Sequence, residues 1–114
     1  MIRIYDKLNA KGLNAYFPGQ YKGLCKDKFC IVRDRSQIPD VSSRMIGRQG
    51  IDIILFIPEG SYISIKPYAD DIKEALKEIG YLRKTGFETE VVIDDEKEAY
   101  TKSIEYVLQK KLEG

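Results

Sequence analysis

The segment GIDIILFIPEGSYISIKPYADDIKEAL, residues 50–76, decides the fold, because one short stretch carries two different hydrophobic periods. In its first half Ile51, Ile53, Leu55 and Ile57 fall on one face of an extended chain, and Ile54 and Phe56 on the other. A strand patterned this way is covered on both faces through its middle, with Asp52 expected at its wetter beginning. In the second half the period changes. Ile65, Tyr68, Ile72, Leu76 and, just beyond, Ile79 recur at helical spacing and make one apolar stripe ending at Gly80. Pro67 suits the first turn of that helix, and Asp70 and Asp71 are expected to complement its positive end. A central strand followed by an amphipathic helix predicts a layered α+β domain.

On the N-terminal side, Phe29, Cys30, Ile31 and Val32 form a β-branched and aromatic run closing at Arg33 and Asp34, which predicts another buried strand. Residues 35–50, with Ser36, Pro39, Ser42, Ser43 and Gly47, read as a long polar connection, and loops of that length are often functional or disordered, a plain solvated loop competing with one that orders on a partner. Earlier still, Ile4, Tyr5 and Leu8 predict a short amphipathic helix stopped at Gly12. Pro18, Gly19 and Gly23 then punctuate an irregular or edge-strand segment. On the C-terminal side, residues 85–89 around Gly86 read as a turn-rich connector, Val91 to Ile93 as a short strand, and Asp94 to Glu96 as an acidic turn. Tyr100, Ile104, Leu108 and Leu112 fit a helix by spacing, whereas Thr101, Tyr106 and Val107 favour a strand by type. A strand is expected, because the two-faced central strand needs a neighbour on each side. The result is a single domain over residues 1–114: a small mixed or antiparallel sheet flanked by two helices, in the order helix-strand-strand-strand-helix-strand.

Composition narrows the chemistry. The 114 residues carry 19 Lys and Arg against 18 Asp and Glu, a net charge of +1, so no overall basic field favours nucleic acid. Histidine is absent, which excludes Ser-His-Asp triads, Cys-His dyads and histidine-containing zinc sites. Cys25 and Cys30 are too few for an all-cysteine zinc site and lack C-x-x-C spacing; reduced packing thiols in a cytoplasmic protein are expected. No apolar run approaches the roughly 20 residues needed to span a bilayer, and nothing resembles an export signal.

Three clusters hold the remaining chemistry. Four of the six arginines, Arg33, Arg35, Arg44 and Arg48, lie in or beside the 35–50 segment with Gln37 and Gln49. The five-donor guanidinium fork suits carboxylate, phosphate or protein-interface recognition. Asp94, Asp95 and Glu96, with Glu98, offer oxygen ligands for a hard cation but lack the spacing of a calcium loop, so a solvated turn or a docking patch competes. Tyr62, Tyr68, Tyr81, Tyr100 and Tyr106 are candidate interface anchors, against the alternative of half-buried core edges. No phosphate loop and no catalytic set occur, so neither an enzyme nor a cofactor is expected.

The element order, together with FCIVRDRSQIP at 29–39, the 50–76 segment and TGFETEVVIDDEKEAYTKSIEY at 85–106, resembles the tail terminator, or tail completion, proteins of long-tailed phages and phage-tail-like particles. The likeness extends to small neck and tail proteins of prophages from low-GC Gram-positive bacteria and covers roughly residues 29–106. It implies a subunit that assembles with itself as a ring, commonly six-fold, on the last ring of the tail tube. That ring would stop polymerisation, meet the head-tail connector and any sheath protein, and let DNA pass through its lumen without a membrane being involved. Assembly in the host bacterial cytoplasm, then residence in the particle neck, follows from the same likeness. The interface expected from the residues themselves comprises Arg33, Arg35, Gln37, Arg44, Arg48, Gln49, Tyr62, Asp94, Asp95 and Glu96. Two alternatives compete: a small nucleic-acid-associated protein whose arginines meet phosphates, and another neck component such as a connector adaptor or tube subunit.

Overall fold

The strand at the centre is longer than its apolar run. In the computed structural model, which describes residues 2–34 and 46–111, β3 spans Ile46–Pro58 and pairs antiparallel along its whole length with the last strand, β6, Ala99–Lys111. On its other side β3 pairs antiparallel with β2, Phe29–Asp34, and β2 takes a two-residue parallel strand, β1, Ala15–Tyr16. Beyond β6 lie two strands in series, β4, Leu82–Glu88, and β5, Val92–Asp94, both antiparallel to it. The sheet order is β1-β2-β3-β6-β4, with β5 also on β6, giving six strands and a mixed α+β fold.

Alternation along these strands separates two cores. Ile51, Ile53, Leu55 and Ile57, flanked in register by Cys30 and Val32 on β2 and by Ile104 on β6, face one side and are fully or almost fully buried. Both helices cover that side: α1, Ile2–Ala10, through Ile4 and Leu8, and α2, Ile65–Leu76, through Ile65, Tyr68, Ile72 and Leu76. Each such aliphatic side chain contributes about 1.5–3 kcal/mol when fully buried. On the opposite side a smaller cluster of Cys25, Phe29, Phe56 and Ala99 is closed by Tyr16 and Tyr21. Phe29 stacks on Tyr21 at 3.8 Å and on Phe56 at 4.7 Å between ring centres.

Local chemistry sets the ends of the helices. After α1, the Leu13 N–H donates to the Leu8 carbonyl and the Gly12 N–H to the Asn9 carbonyl, with Gly12 at φ 73°. This is the paired cap that favours glycine, since a Cβ is strained in the left-handed region. The Asn9 side chain then braces β1, accepting from the Ala15 N–H and donating to its carbonyl. In α2, Pro67 lies in the first turn, where an N–H has no partner to lose.

The structure corrects several expectations. Residues 47–50 are not loop: Gly47, Arg48, Gln49 and Gly50 belong to β3, held opposite residues 107–110 of β6. Non-local pairing there overrides the weak strand preference of the two glycines. The connector at 85–89 lies almost wholly within β4, with a register shift between Lys84 and Glu88 where Gly86 falls, so β4 is a strand the expected order lacked, whereas β5 matches the short strand expected at Val91 to Ile93. Asp52 is buried at 6%, because β3 continues past it in both directions. The helix starts before Pro67, which moves Asp70 and Asp71 out of the first turn and away from its positive end. The final segment is a strand, as expected from the need to flank β3. No helix among the described residues is long and apolar enough to cross a membrane.

Candidate interaction surface

The residues singled out by the sequence separate into two ends of the sheet. Arg33 lies near the end of β2, opposite Asp52, and donates to its carboxylate at 2.7 Å. Arg48 and Gln49 take β3 positions toward the same end, opposite Gln109 and Leu108. Arg35, Gln37 and Arg44 lie outside the described residues. At the other end, Asp94 closes β5 opposite Ala99, which itself faces Pro58, and Asp95 and Glu96 form the exposed turn into β6. Tyr62 follows β3 on a single 3-10 turn, Tyr62–Ser64.

The acidic turn is shaped by its own hydrogen bonds. One oxygen of Asp94 accepts from the Lys97 N–H at 3.2 Å, the turn bond that short acidic side chains make. The Lys97 carbonyl accepts from the Cys25 N–H at 2.8 Å, and its ammonium sits 5.6 Å from the Tyr21 ring centre. Among the described residues no three cysteine or carboxylate side chains converge as metal ligands would.

Around this end the structure exposes apolar side chains that the sequence reading did not single out. Ile63 is 87% exposed, Phe87 60%, Val92 56% and Ile93 56%, beside Tyr62 at 53%. Tyr62 meets Tyr100 edge to face at 5.0 Å, and Tyr100 is the register partner of Ile93, so the 3-10 turn and β5 form one neighbourhood. A signal existed in Val92 and Ile93: adjacent residues of a strand point to opposite faces, so an edge strand buries both only with help.

Two of the tyrosines, Tyr68 and Tyr106, are corrected as anchors. Tyr68 is buried beneath α2 and donates its hydroxyl to the Leu13 carbonyl; Tyr106 is 3% exposed within the core, and its hydroxyl has no hydrogen-bond partner among the described residues. Burial, reinforced by Glu88, pushes the Tyr106 phenol up to about 12. Tyr81 lies at the margin of exposure, under the guanidinium of Arg3 at 5.6 Å.

Charge ties the edge to the body of the fold. The Glu88 carboxylate accepts from Lys73 of α2 at 2.8 Å and from Lys102 of β6 at 3.1 Å. These contacts, the Lys73 hydrogen bond first, hold it below the usual carboxylate range against its partial burial. The groove beside it, lined by Tyr62, Lys66, Asp70, Lys73, Glu88 and Lys102, is open and carries both signs of charge. Both thiols are free and buried, and burial pushes each up to about 11, far from the reactive thiolate range. No protein-family model matches the chain, and no curated protein matches it.

Proposed function

We propose that this chain is a structural assembly subunit of the tail-terminator type, which caps a tail tube, stops its polymerisation and forms the junction with the head connector. The observation that supports this reading is the exposure of Tyr62, Ile63, Val92 and Ile93 around the 3-10 turn and β5, with Phe87 further along the same side of β6, since exposed apolar surface marks protein interaction sites. In a closed ring such a surface meets a different patch on the next subunit, and rotation seals the assembly against further addition. The acidic turn Asp94, Asp95 and Glu96 borders that contact, and a net charge of +1 leaves a lumen free to pass DNA without holding its phosphates. Arg33, already engaged with Asp52, is spent on the fold and so gives no support to a phosphate-binding reading.

The test is microscopy of particles from a bacterium lacking the gene, beside a complemented strain. Overlong or ragged tails that fail to join heads are expected. Tails of normal length joined to heads would falsify the proposal.

A further inference from the structure

Strands β4 and β5 run in the same direction along β6 and together form one edge of the sheet. Among the described residues no strand lies outside them, so their outward N–H and C=O groups are a template for another strand. Natural edges of this kind are usually blunted by inward charges, proline or a covering element. This edge is interrupted by the register shift between Lys84 and Glu88, and along it Phe87, Val92 and Ile93 are exposed.

The charges along this edge are distributed with a direction. It begins with Arg83 and Lys84, carries Glu88, held by Lys73 and Lys102, and Glu90 near its middle, and ends at Asp94, with Asp95 and Glu96 in the turn beyond. In a parallel pairing with a second copy, like charges meet. In an antiparallel pairing, the basic start of each copy meets the acidic end of the other. The register on β6 is compatible with this pairing. Arg83 lies opposite Val107 and Asp94 opposite Ala99, an even number of β6 residues apart, so both side chains are on the face away from the helices. Lys84, opposite Tyr106, and Ile93, opposite Tyr100, share the helix-covered face. Pairs that meet across an antiparallel ladder must share a face, and these do. The midpoint of both pairs falls at Ser103, where the Thr89 N–H donates to the Ser103 carbonyl.

We infer that the free chain pairs with a second copy of itself, antiparallel along the β4–β5 edge, about a twofold axis beside Ser103, with Arg83 of each copy against Asp94 of the other. The contact is isologous and closes at two. It goes beyond the tail reading and does not rest on it: the pair is a state of the free chain, and it separates where a subunit enters a polar ring.

Sedimentation or light scattering of the purified chain across a concentration series reads the pairing directly. A reversible species of twice the chain mass is expected. Arg83→Glu and Asp94→Arg should each weaken it about tenfold, because every substitution acts twice across the axis, and the double variant should recover most of the loss. Asp94→Arg also removes the turn bond to Lys97, so a second measurement guards against a folding defect. Urea unfolding of each variant supplies it, since a lost contact leaves the midpoint of the monomer in place and a lost fold does not. A chain that stays monomeric leaves the edge to a different protein and overturns the inference. Mass that climbs without closing shows head-to-tail contacts and overturns it equally. So does a dimer that ignores both charge reversals in variants that unfold like the parent. Normal tails in the deletion strain with a charge-sensitive dimer would leave this inference standing while removing the tail reading.

Discussion

The same atom deleted at two buried tyrosines should change stability in opposite directions. Tyr106 carries a hydroxyl with no hydrogen-bond partner among the described residues, whereas the Tyr68 hydroxyl bonds the Leu13 carbonyl and ties α2 to the turn after α1. Leaving a buried polar group unpaired costs about 1–3 kcal/mol, so Tyr106→Phe should gain about 1 kcal/mol while keeping the ring packed. Tyr68→Phe removes a made bond and strands part of the Leu13 carbonyl, a loss of about 1–2 kcal/mol. For a domain of this size each kcal/mol moves Tm by about 3–6 °C, so the two variants should melt on opposite sides of the parent. The alkaline limb sharpens the contrast. The Tyr106 phenol, ordinarily near 10, is raised to about 12 by burial, then by Glu88. The unfolded chain therefore ionises first, so stability is unaffected by this group below pH 10 and falls as pH rises from 10 toward 12. Tyr106→Phe should flatten that decline. Urea unfolding of the three proteins at neutral and alkaline pH measures all of this. A Tyr106→Phe variant that loses more than about 1 kcal/mol, or two variants that shift the same way, would refute the reasoning.

Three further outcomes are expected. Arg33→Ala should cost about 1–2 kcal/mol in urea unfolding, between an exposed pair and a buried one, because Asp52 is buried while the arginine is half exposed. Glu88→Gln should lower stability at neutral pH and flatten the acid limb of a Tm-against-pH curve. The depressed folded value means this carboxylate stabilises fully above its ordinary 4.5 and loses that contribution as pH falls through the folded value. Cys25 and Cys30, raised from 9.0 to about 11, should alkylate on the order of a hundredfold more slowly in the folded chain than after denaturation, read by mass spectrometry; equal rates would contradict their burial.

The elements legible in the sequence are those with a buried face. Ile51, Ile53, Leu55 and Ile57 signal β3 because one side of it lies under helices; Tyr68, Ile72 and Leu76 signal α2 for the same reason. The final strand was legible only through the sheet: its residues fit two periods, and β3's need for a neighbour decided between them, which its continuous register with β6 bears out. The first residues of β3 were hidden because Gly47, Arg48, Gln49 and Gly50 carry no apolar pattern and are held by the partner strand. Of the expected interface, Tyr62 and the acidic turn fall beside the apolar edge, Arg33 is committed to Asp52, and Arg35, Gln37 and Arg44 lie outside the described residues.

What hid β4 is also what makes it informative. Period-two alternation is produced by one wet face and one dry one, so a strand whose residues from Arg83 to Phe87 are all exposed has nothing to alternate between. Yet Thr85, Phe87, Val92 and Ile93 are residue types that fit a pleated, half-buried surface, and in the described chain that burial is missing. Strand formers left exposed from Arg83 to Phe87 and at Val92 and Ile93 are what the inferred antiparallel pairing would cover. Arg83 and Lys84 at one end with Asp94 and Asp95 at the other favour antiparallel pairing of identical edges over every parallel register, since only the antiparallel arrangement satisfies both ends at once.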